Sequence, residues 1–315
     1  MNTRHIIFPS NRFHDIEATY HHILAPLYDQ GEVRTFLLML AEKYLNWDTA
    51  AYLLHRHDTI DQSVLLQFHW ALKDLQQQRP VQHIIGSTTF CGSTIAVSPA
   101  VLIPRPETEE MVLHLVRHLH AISFDPRTIL DLCTGSGCIA IALKKAFPTA
   151  AVAAVDISAA ALEVARSNAK RNAADIAFLQ ADILDQTIWD KVTRDSRPPA
   201  PASQDREAET PCFDIIISNP PYVRDSERKG MRRNVLDYEP ALALFVDDSD
   251  PLIFYRNIAA FALRRLSSPG ILVLEINEHL AQQTQQLLRA HSLSPTLCPD
   301  FAGKPRSIFC KKDTK

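Results

Sequence analysis

Residues 213–222 read Phe-Asp-Ile-Ile-Ile-Ser-Asn-Pro-Pro-Tyr. The apolar, β-branched run that opens this stretch is typical of a buried parallel strand. Pro220 and Pro221 end that strand, because neither has an N–H group to donate to a neighbouring strand. Asn219 precedes a proline, so its backbone is restricted to an extended conformation. The stretch therefore predicts a stiff loop at the carboxyl end of a buried strand, where open α/β sheets bind their ligands.

The groups in this loop suit a planar ligand that carries an NH2 group. Asn219 supplies an amide, Pro220 and Pro221 supply carbonyl oxygens, and Tyr222 supplies an aromatic ring. A turn that merely ends a strand is the alternative interpretation. We favour a binding role because these four residues follow the strand directly.

Strand and helix patterns alternate on both sides of the loop. The predicted strands are 129–132, 151–155, 177–179, 213–218 and 270–276, and the predicted helices are 138–147, 159–172, 252–266 and 279–291. Alternating β and α units imply a parallel, doubly wound α/β sheet with right-handed crossovers. The tail segments 294–298 and 306–310 fit a closing antiparallel hairpin.

The region before this sheet has a different character. Residues 1–79 repeat apolar side chains at helical spacing without a strand signal, which predicts a helical bundle. That bundle either docks a partner or only stabilises the second domain. Residues 80–103 are predicted as a β-hairpin linker, with 82–86 and 88–97 as short strands. Residues 104–315 form the second domain.

Two further stretches of the second domain stand out. Arg105 lies between Pro104 and Pro106 on a rigid turn, where it faces either solvent or a site, and a helix opens at Glu107 or Thr108. Residues 190–211 lack an apolar period and are predicted as a flexible surface insertion.

Composition narrows the class of protein. The formal net charge of -3 argues against a broad electrostatic grip on nucleic acid. No apolar run approaches the roughly 20 residues that span a bilayer. The cysteines show no CxxC pair, so reduced thiols in a cytoplasmic protein are expected rather than a zinc site or a disulfide framework.

Three signals at successive strand ends predict a site for an adenosine-containing cofactor. The turn after the first strand contains Gly135 and Gly137, which let backbone approach a ligand closely. Asp156 ends the second strand and can accept hydrogen bonds from both ribose hydroxyls. After the third strand, Asp182 can accept from an adenine amino group, and Ile183 can pack on the ring.

Together these motifs resemble those of class I S-adenosylmethionine methyltransferases that modify planar NH2 groups. The segments 80–86, 90–92 and 102–109 narrow the likeness to the peptide chain release factor glutamine N5-methyltransferases, the PrmC/HemK group. The resemblance extends over residues 80–310. In the N-terminal domain it is limited to the helical character of the region. Cys133 stands where that family usually has glycine, and its small side chain is expected to leave the turn intact.

The resemblance implies a Rossmann-like, seven-stranded methyltransferase sheet with a small N-terminal helical domain. It also implies that S-adenosyl-L-methionine is the cofactor and that S-adenosyl-L-homocysteine is the product formed from it. The resemblance further implies a cytoplasmic monomer. Its implied partners are release factors rather than nucleic acid or a membrane. The implied cofactor-binding residues are Asp131, Cys133, Thr134, Gly135, Ser136, Gly137, Asp156, Asp182, Ile183 and Asn219.

For the reaction, the resemblance implies methyl transfer to the glutamine amide of a Gly-Gly-Gln motif. Asn219 and the Pro220 carbonyl would accept the two N–H bonds of that amide, Tyr222 would pack on the substrate, and Pro221 would stiffen the loop. Asn219, Pro220 and Tyr222 are the implied catalytic residues. Three alternatives remain open: a nucleic-acid adenine or guanine amino methyltransferase, a ribosomal-protein glutamine methyltransferase, and an inactive cofactor-binding scaffold.

Overall fold

The computed structural model of the chain describes residues 8–195 and 213–312. Its helices are α1 (Phe13–Leu24), α2 (Gln30–Leu45), α3 (Thr49–Leu54), α4 (Gln62–Gln76), α5 (Val81–Ile85), α6 (Pro106–Ala121), α7 (Cys138–Ala146), α8 (Ala159–Arg171), α9 (Trp189–Asp195), α10 (Arg233–Leu236), α11 (Ile253–Arg265) and α12 (Ala281–Ala290). Its strands are β1 (Ser87–Phe90), β2 (Ser93–Ala96), β3 (Thr128–Leu132), β4 (Ala151–Asp156), β5 (Ile176–Gln180), β6 (Phe213–Ser218), β7 (Val223–Arg224), β8 (Phe245–Val246), β9 (Leu266–Glu275), β10 (Leu293–Pro299) and β11 (Pro305–Lys312).

Contacts between residues divide the chain into two compact units. One comprises Met1–Gly86 with Arg232–Tyr238, and the other comprises Ser87–Met231 with Glu239–Lys315. The predicted domain boundaries at residues 79 and 103 stay a prediction.

The first unit is helical and packs around aromatic side chains. The Phe13 ring lies 5.1 Å from the rings of Trp47 and Tyr52 and 5.7 Å from that of Phe68, measured between ring centroids. The buried Tyr20 hydroxyl donates a hydrogen bond to the Phe68 carbonyl at 2.6 Å. These side chains cross-link α1, α3 and α4, so the apolar periodicity of the sequence is realised as one core.

The second unit contains a seven-stranded sheet in the order β10-β11-β9-β6-β3-β4-β5. β5, β4, β3, β6 and β9 run parallel, and β11 and β10 add an antiparallel hairpin at one edge. The predicted Rossmann-like sheet with its closing hairpin is therefore confirmed. β6, the strand of the opening stretch, lies at its centre, where Ile215, Ile216 and Ile217 are fully buried.

One predicted strand of the linker is wrong. Residues 82–86 are not extended, because Val81–Ile85 is a single helical turn that Gly86 ends in the left-handed conformation, with φ 81°. Five residues are too few for an apolar pattern to distinguish a helix from a strand. The hairpin is formed by β1 and β2 alone, around the positive-φ pair Cys91 and Gly92.

The predicted insertion begins as a helix rather than as an irregular segment. Residues 190–195 belong to α9, and the remainder of 190–211 lies outside the described residues. Within the described part of the chain, no helix is both long and apolar enough to cross a membrane.

Candidate active site

A cavity of about 300 Å³ opens at the carboxyl ends of β3, β4, β5 and β6. All four strands are parallel, so the residues that follow them meet at one edge of the sheet. The turn after β3, Asp156, Asp182 and Asn219 all contribute to its wall. The structure thus brings together the four sequence signals that we predicted for cofactor and acceptor binding.

The turn after β3 depends on left-handed backbone at three positions. Cys133, Gly135 and Gly137 have φ values of 59°, 54° and 79°. A Cβ on Gly135 would meet no atom within 4 Å, and the residue lies on the cavity wall, so its space is open to a ligand. A Cβ on Gly137 would lie 3.1 Å from the Ala165 Cβ, so this glycine serves the packing of α7 on α8. The two glycines therefore have separate structural roles.

Cys133 occupies a backbone position that suits glycine. Its φ of 59° is strained for a residue with a Cβ. The turn nevertheless forms, as we expected for a small side chain. Burial raises the pKa of its thiol, so the group stays protonated at neutral pH.

Two carboxylates line the cavity with part of their hydrogen-bonding capacity unused. Asp156 accepts from the Gly135 N–H at 2.8 Å and from the Ser158 N–H at 2.9 Å, one bond to each oxygen. Asp182 accepts from the Leu184 N–H at 2.9 Å through one oxygen. Because each carboxylate oxygen can accept more than one bond, both groups remain able to bind ligand hydroxyl or amino groups.

Asp131 lies beneath the turn rather than on the cavity wall. Its side chain is fully buried, and its Oδ2 accepts from the Thr134 hydroxyl at 2.6 Å. Its Oδ1 has no partner among the described residues. Burial raises the pKa of this carboxyl to about 7, since a charge is costly away from water.

The loop after β6 presents Asn219 and Pro221 to the cavity, whereas Pro220 and Tyr222 are not among the lining residues. The Asn219 Nδ2 donates to the Thr108 hydroxyl at 3.1 Å. No described residue donates to the Asn219 Oδ1 or to the Pro220 carbonyl. The Asn219 Oδ1 is thus an acceptor on the cavity wall that is available to an NH2 group.

Glu275 is a residue of this site that the sequence analysis missed. It ends β9, is 2% exposed, and accepts from Thr108 at 2.6 Å and from the Tyr222 hydroxyl at 2.9 Å. Burial raises the pKa of the Glu275 carboxyl. The sequence signal for it was a carboxylate inside the apolar run 270–276, since a buried charge needs specific partners.

Arg105 faces the cavity rather than solvent alone. It lies on the cavity wall and forms an ion pair with Glu239 at 2.6 Å. The other oxygen of Glu239 accepts from the Ile103 N–H at 2.9 Å. This buried carboxylate, also missed from sequence, fixes the proline-flanked turn against the segment that begins at residue 239.

Chemically, the cavity combines three kinds of group. Carboxylates at the ends of β4 and β5 can bind hydroxyl and amino groups, and Ile157, Ile183 and Leu184 provide apolar wall beside them. At the other end, Asn219 offers an oxygen acceptor. The arrangement suits an elongated ligand with a polar ribose-like part, a planar ring, and a reacting end near Asn219.

Known proteins resemble this chain along most of its length. Family models for the methyltransferase small domain and for the PrmC N-terminal domain match residues 111–237 and 29–86. The release factor glutamine methyltransferase of Flavobacterium psychrophilum is 40% identical over 287 residues, which cover 90% of this chain and 94% of that protein. The protein of the same name from Bacteroides thetaiotaomicron is 35% identical, with 94% and 99% covered. A solved protein-(glutamine-N5) methyltransferase from Alicyclobacillus acidocaldarius aligns at 22% identity and a TM-score of 0.40, covering 69% of this chain and 99% of that chain.

Proposed function

Because this chain belongs to the release factor glutamine methyltransferase family, we propose that it methylates the glutamine side chain in the Gly-Gly-Gln motif of peptide chain release factors. The observation that carries the proposal is the Asn219 amide on the cavity wall, whose Nδ2 is held by Thr108 while its Oδ1 is open. The names of the relatives do not favour the nucleic-acid, ribosomal-protein or inactive-scaffold alternatives.

The residues of the cavity fit S-adenosyl-L-methionine. The open space beside Gly135 admits a ligand against the backbone, and Asp156 retains acceptor capacity for the two ribose hydroxyls. Asp182 would accept from the adenine amino group, and Ile183 would pack on the ring. Asp131 would act from beneath the turn, by holding Thr134 in place.

The remaining residues of the turn complete this cofactor site. Cys133, Thr134 and Ser136 line the cavity together with Gly135, and Gly137 sets the packing behind them. When bound, the cofactor supplies a methyl group on a sulfonium centre and leaves as S-adenosyl-L-homocysteine.

The chain's own task is to activate a poor nucleophile. The lone pair of an amide nitrogen is delocalised into its carbonyl group. Asn219 Oδ1 and the Pro220 carbonyl would accept the two N–H bonds, which holds the nitrogen with its lone pair directed at the methyl group. Transfer would form the N–C bond and break the S–C bond of the cofactor, and the methylated nitrogen would be acidic enough to pass one proton to water without a strong general base.

Pro221 and Tyr222 would keep the loop in this geometry. Tyr222 is anchored by its hydroxyl to Glu275, and its backbone carbonyl accepts from the Asn277 Nδ2 at 3.0 Å. We propose that the Tyr222 ring also packs against the substrate segment that carries the glutamine. The proposal implies a cytoplasmic location, since release factors act in translation termination.

A transfer assay tests the proposal. The purified chain is incubated with isotopically labelled cofactor and a purified release factor, and the labelled position is located by mass spectrometry. We expect one methyl group on the glutamine of the Gly-Gly-Gln motif, and none on a release factor in which glutamate replaces that glutamine. Label in added nucleic acid, or no label in any acceptor, would contradict the proposal.

A further inference from the structure

We propose that Thr108 and Glu275 are positioning residues that set the direction of the Asn219 amide, so that its oxygen rather than its NH2 group faces the acceptor. The inference rests on the proposed function. It is carried by a chain of hydrogen bonds, in which Asn219 Nδ2 donates to Thr108 at 3.1 Å and Thr108 donates to Glu275 at 2.6 Å. Tyr222 donates to the other oxygen of Glu275 at 2.9 Å.

The direction of this chain follows from the number of protons in it. Both oxygens of Glu275 already accept, one from Thr108 and one from Tyr222, and a threonine hydroxyl has a single proton to donate. Once that proton is directed at Glu275, the Thr108 oxygen can only accept, and Asn219 must turn an N–H toward it. A flipped Asn219 amide would place two oxygens side by side with no proton between them.

Burial keeps water from replacing Thr108 or Glu275 in the chain of bonds. Thr108 and Glu275 are each 2% exposed. Three residues of the chain of bonds come from elements far apart in the sequence, since Thr108 is in α6, Glu275 ends β9 and Asn219 follows β6. The tertiary structure therefore holds Asn219 with the same end outward before any substrate binds, which removes a reorganisation step from the reaction.

The test separates turnover from binding in two variants of Thr108. Thr108→Val removes the hydroxyl with little change of shape, whereas Thr108→Ser keeps it. We expect Thr108→Val to lower kcat roughly 10- to 100-fold. The KM for the release factor and the calorimetric Kd for the cofactor should stay within about threefold of their wild-type values. Such a change is smaller than the tenfold change that corresponds to about 1.4 kcal/mol. Thr108→Ser keeps the hydroxyl, so its kcat should lie within about threefold of the wild-type value.

A matched control and a second variant keep the inference open to refutation. Thr284→Val removes a fully buried hydroxyl of α12 that donates at 2.9 Å to the carbonyl of Leu280, the residue just before that helix, and should leave kcat unchanged. Glu275→Gln keeps the size of the side chain but can donate to Thr108, which reverses the chain of bonds. Glu275→Gln should lower kcat at least about tenfold. If Thr108→Val does not fold, this variant alone tests the positioning role.

The outcomes distinguish this inference from the proposed function. A wild-type protein that transfers no methyl group to the release factor overturns the proposed function. An active wild type with an unimpaired Thr108→Val or Glu275→Gln variant overturns the inference alone. So does a Thr108→Ser variant as slow as Thr108→Val, or a loss confined to KM.

Discussion

Replacing either glycine of the turn after β3 by alanine should separate ligand binding from packing. Gly135 and Gly137 both have positive φ, at 54° and 79°, so an alanine is strained at each position. Their surroundings differ, because the added Cβ meets open cavity space at Gly135 but lies 3.1 Å from the Ala165 Cβ at Gly137. We therefore expect two different defects from the same chemical change.

The magnitudes follow from these distances. Gly135→Ala should lower the free energy of unfolding by roughly 1 kcal/mol, the cost of left-handed backbone for alanine. It should also weaken cofactor binding about tenfold or more, which corresponds to about 1.4 kcal/mol, because the methyl group occupies space that the ligand needs. Gly137→Ala should lower the free energy of unfolding by roughly 2 to 4 kcal/mol, since overpacking against α8 adds about 1 to 3 kcal/mol to the same strain.

Urea denaturation and calorimetric titration with S-adenosyl-L-methionine measure the two effects. Gly303→Ala is the matched control: Gly303 has a φ of 78°, a Cβ added there would meet no atom within 4 Å, and the residue is in the loop between β10 and β11. It should show the strain of about 1 kcal/mol without loss of cofactor affinity. Wild-type affinity in Gly135→Ala, or a larger loss of affinity in Gly137→Ala than in Gly135→Ala, would refute the assigned roles.

Three further predictions address single side chains. Asn219→Ala should lower methyl transfer roughly 100-fold or more with a smaller effect on cofactor affinity, and turnover within a few-fold of wild type would contradict its role. The pKa of Asp131 is about 7 in the folded chain against an ordinary 3.8, so its contribution to stability is complete below the ordinary value and is lost as pH rises through 7. Urea titrations between about pH 5 and pH 8 should show wild type losing about 3 kcal/mol relative to Asp131→Asn, and parallel profiles would exclude this. Cys133→Gly should change the free energy of unfolding by less than about 1 kcal/mol, whereas Cys133→Val should lower it by roughly 2 kcal/mol or more; equal stabilities would show that the turn is unstrained.

Local sequence patterns were enough to predict the sheet and the edge at which it binds ligands. These signals are local: β-branched runs form buried strands, prolines stop a ladder, and glycines permit positive φ within a few residues of where they stand. Because parallel strands align their carboxyl ends, Asp156, Asp182 and Asn219 were predicted to meet without knowledge of the structure. The same local logic failed at 82–86, where five residues were too short to reveal a period.

The partners that hold these residues are visible only in the packed fold. Thr108 and Glu275 are 167 residues apart, and Asn219 is 111 residues from Thr108, so no spacing in the sequence pairs them. Arg105 likewise had no assigned direction until Glu239, 134 residues away, was seen to hold it. These hydrogen bonds need donor–acceptor distances of about 2.7 to 3.2 Å and the exclusion of water, and both arise only when separate elements pack together. Asn219 could be located from its strand and its prolines, but the end of its amide that faces the acceptor is set by side chains from α6 and β9.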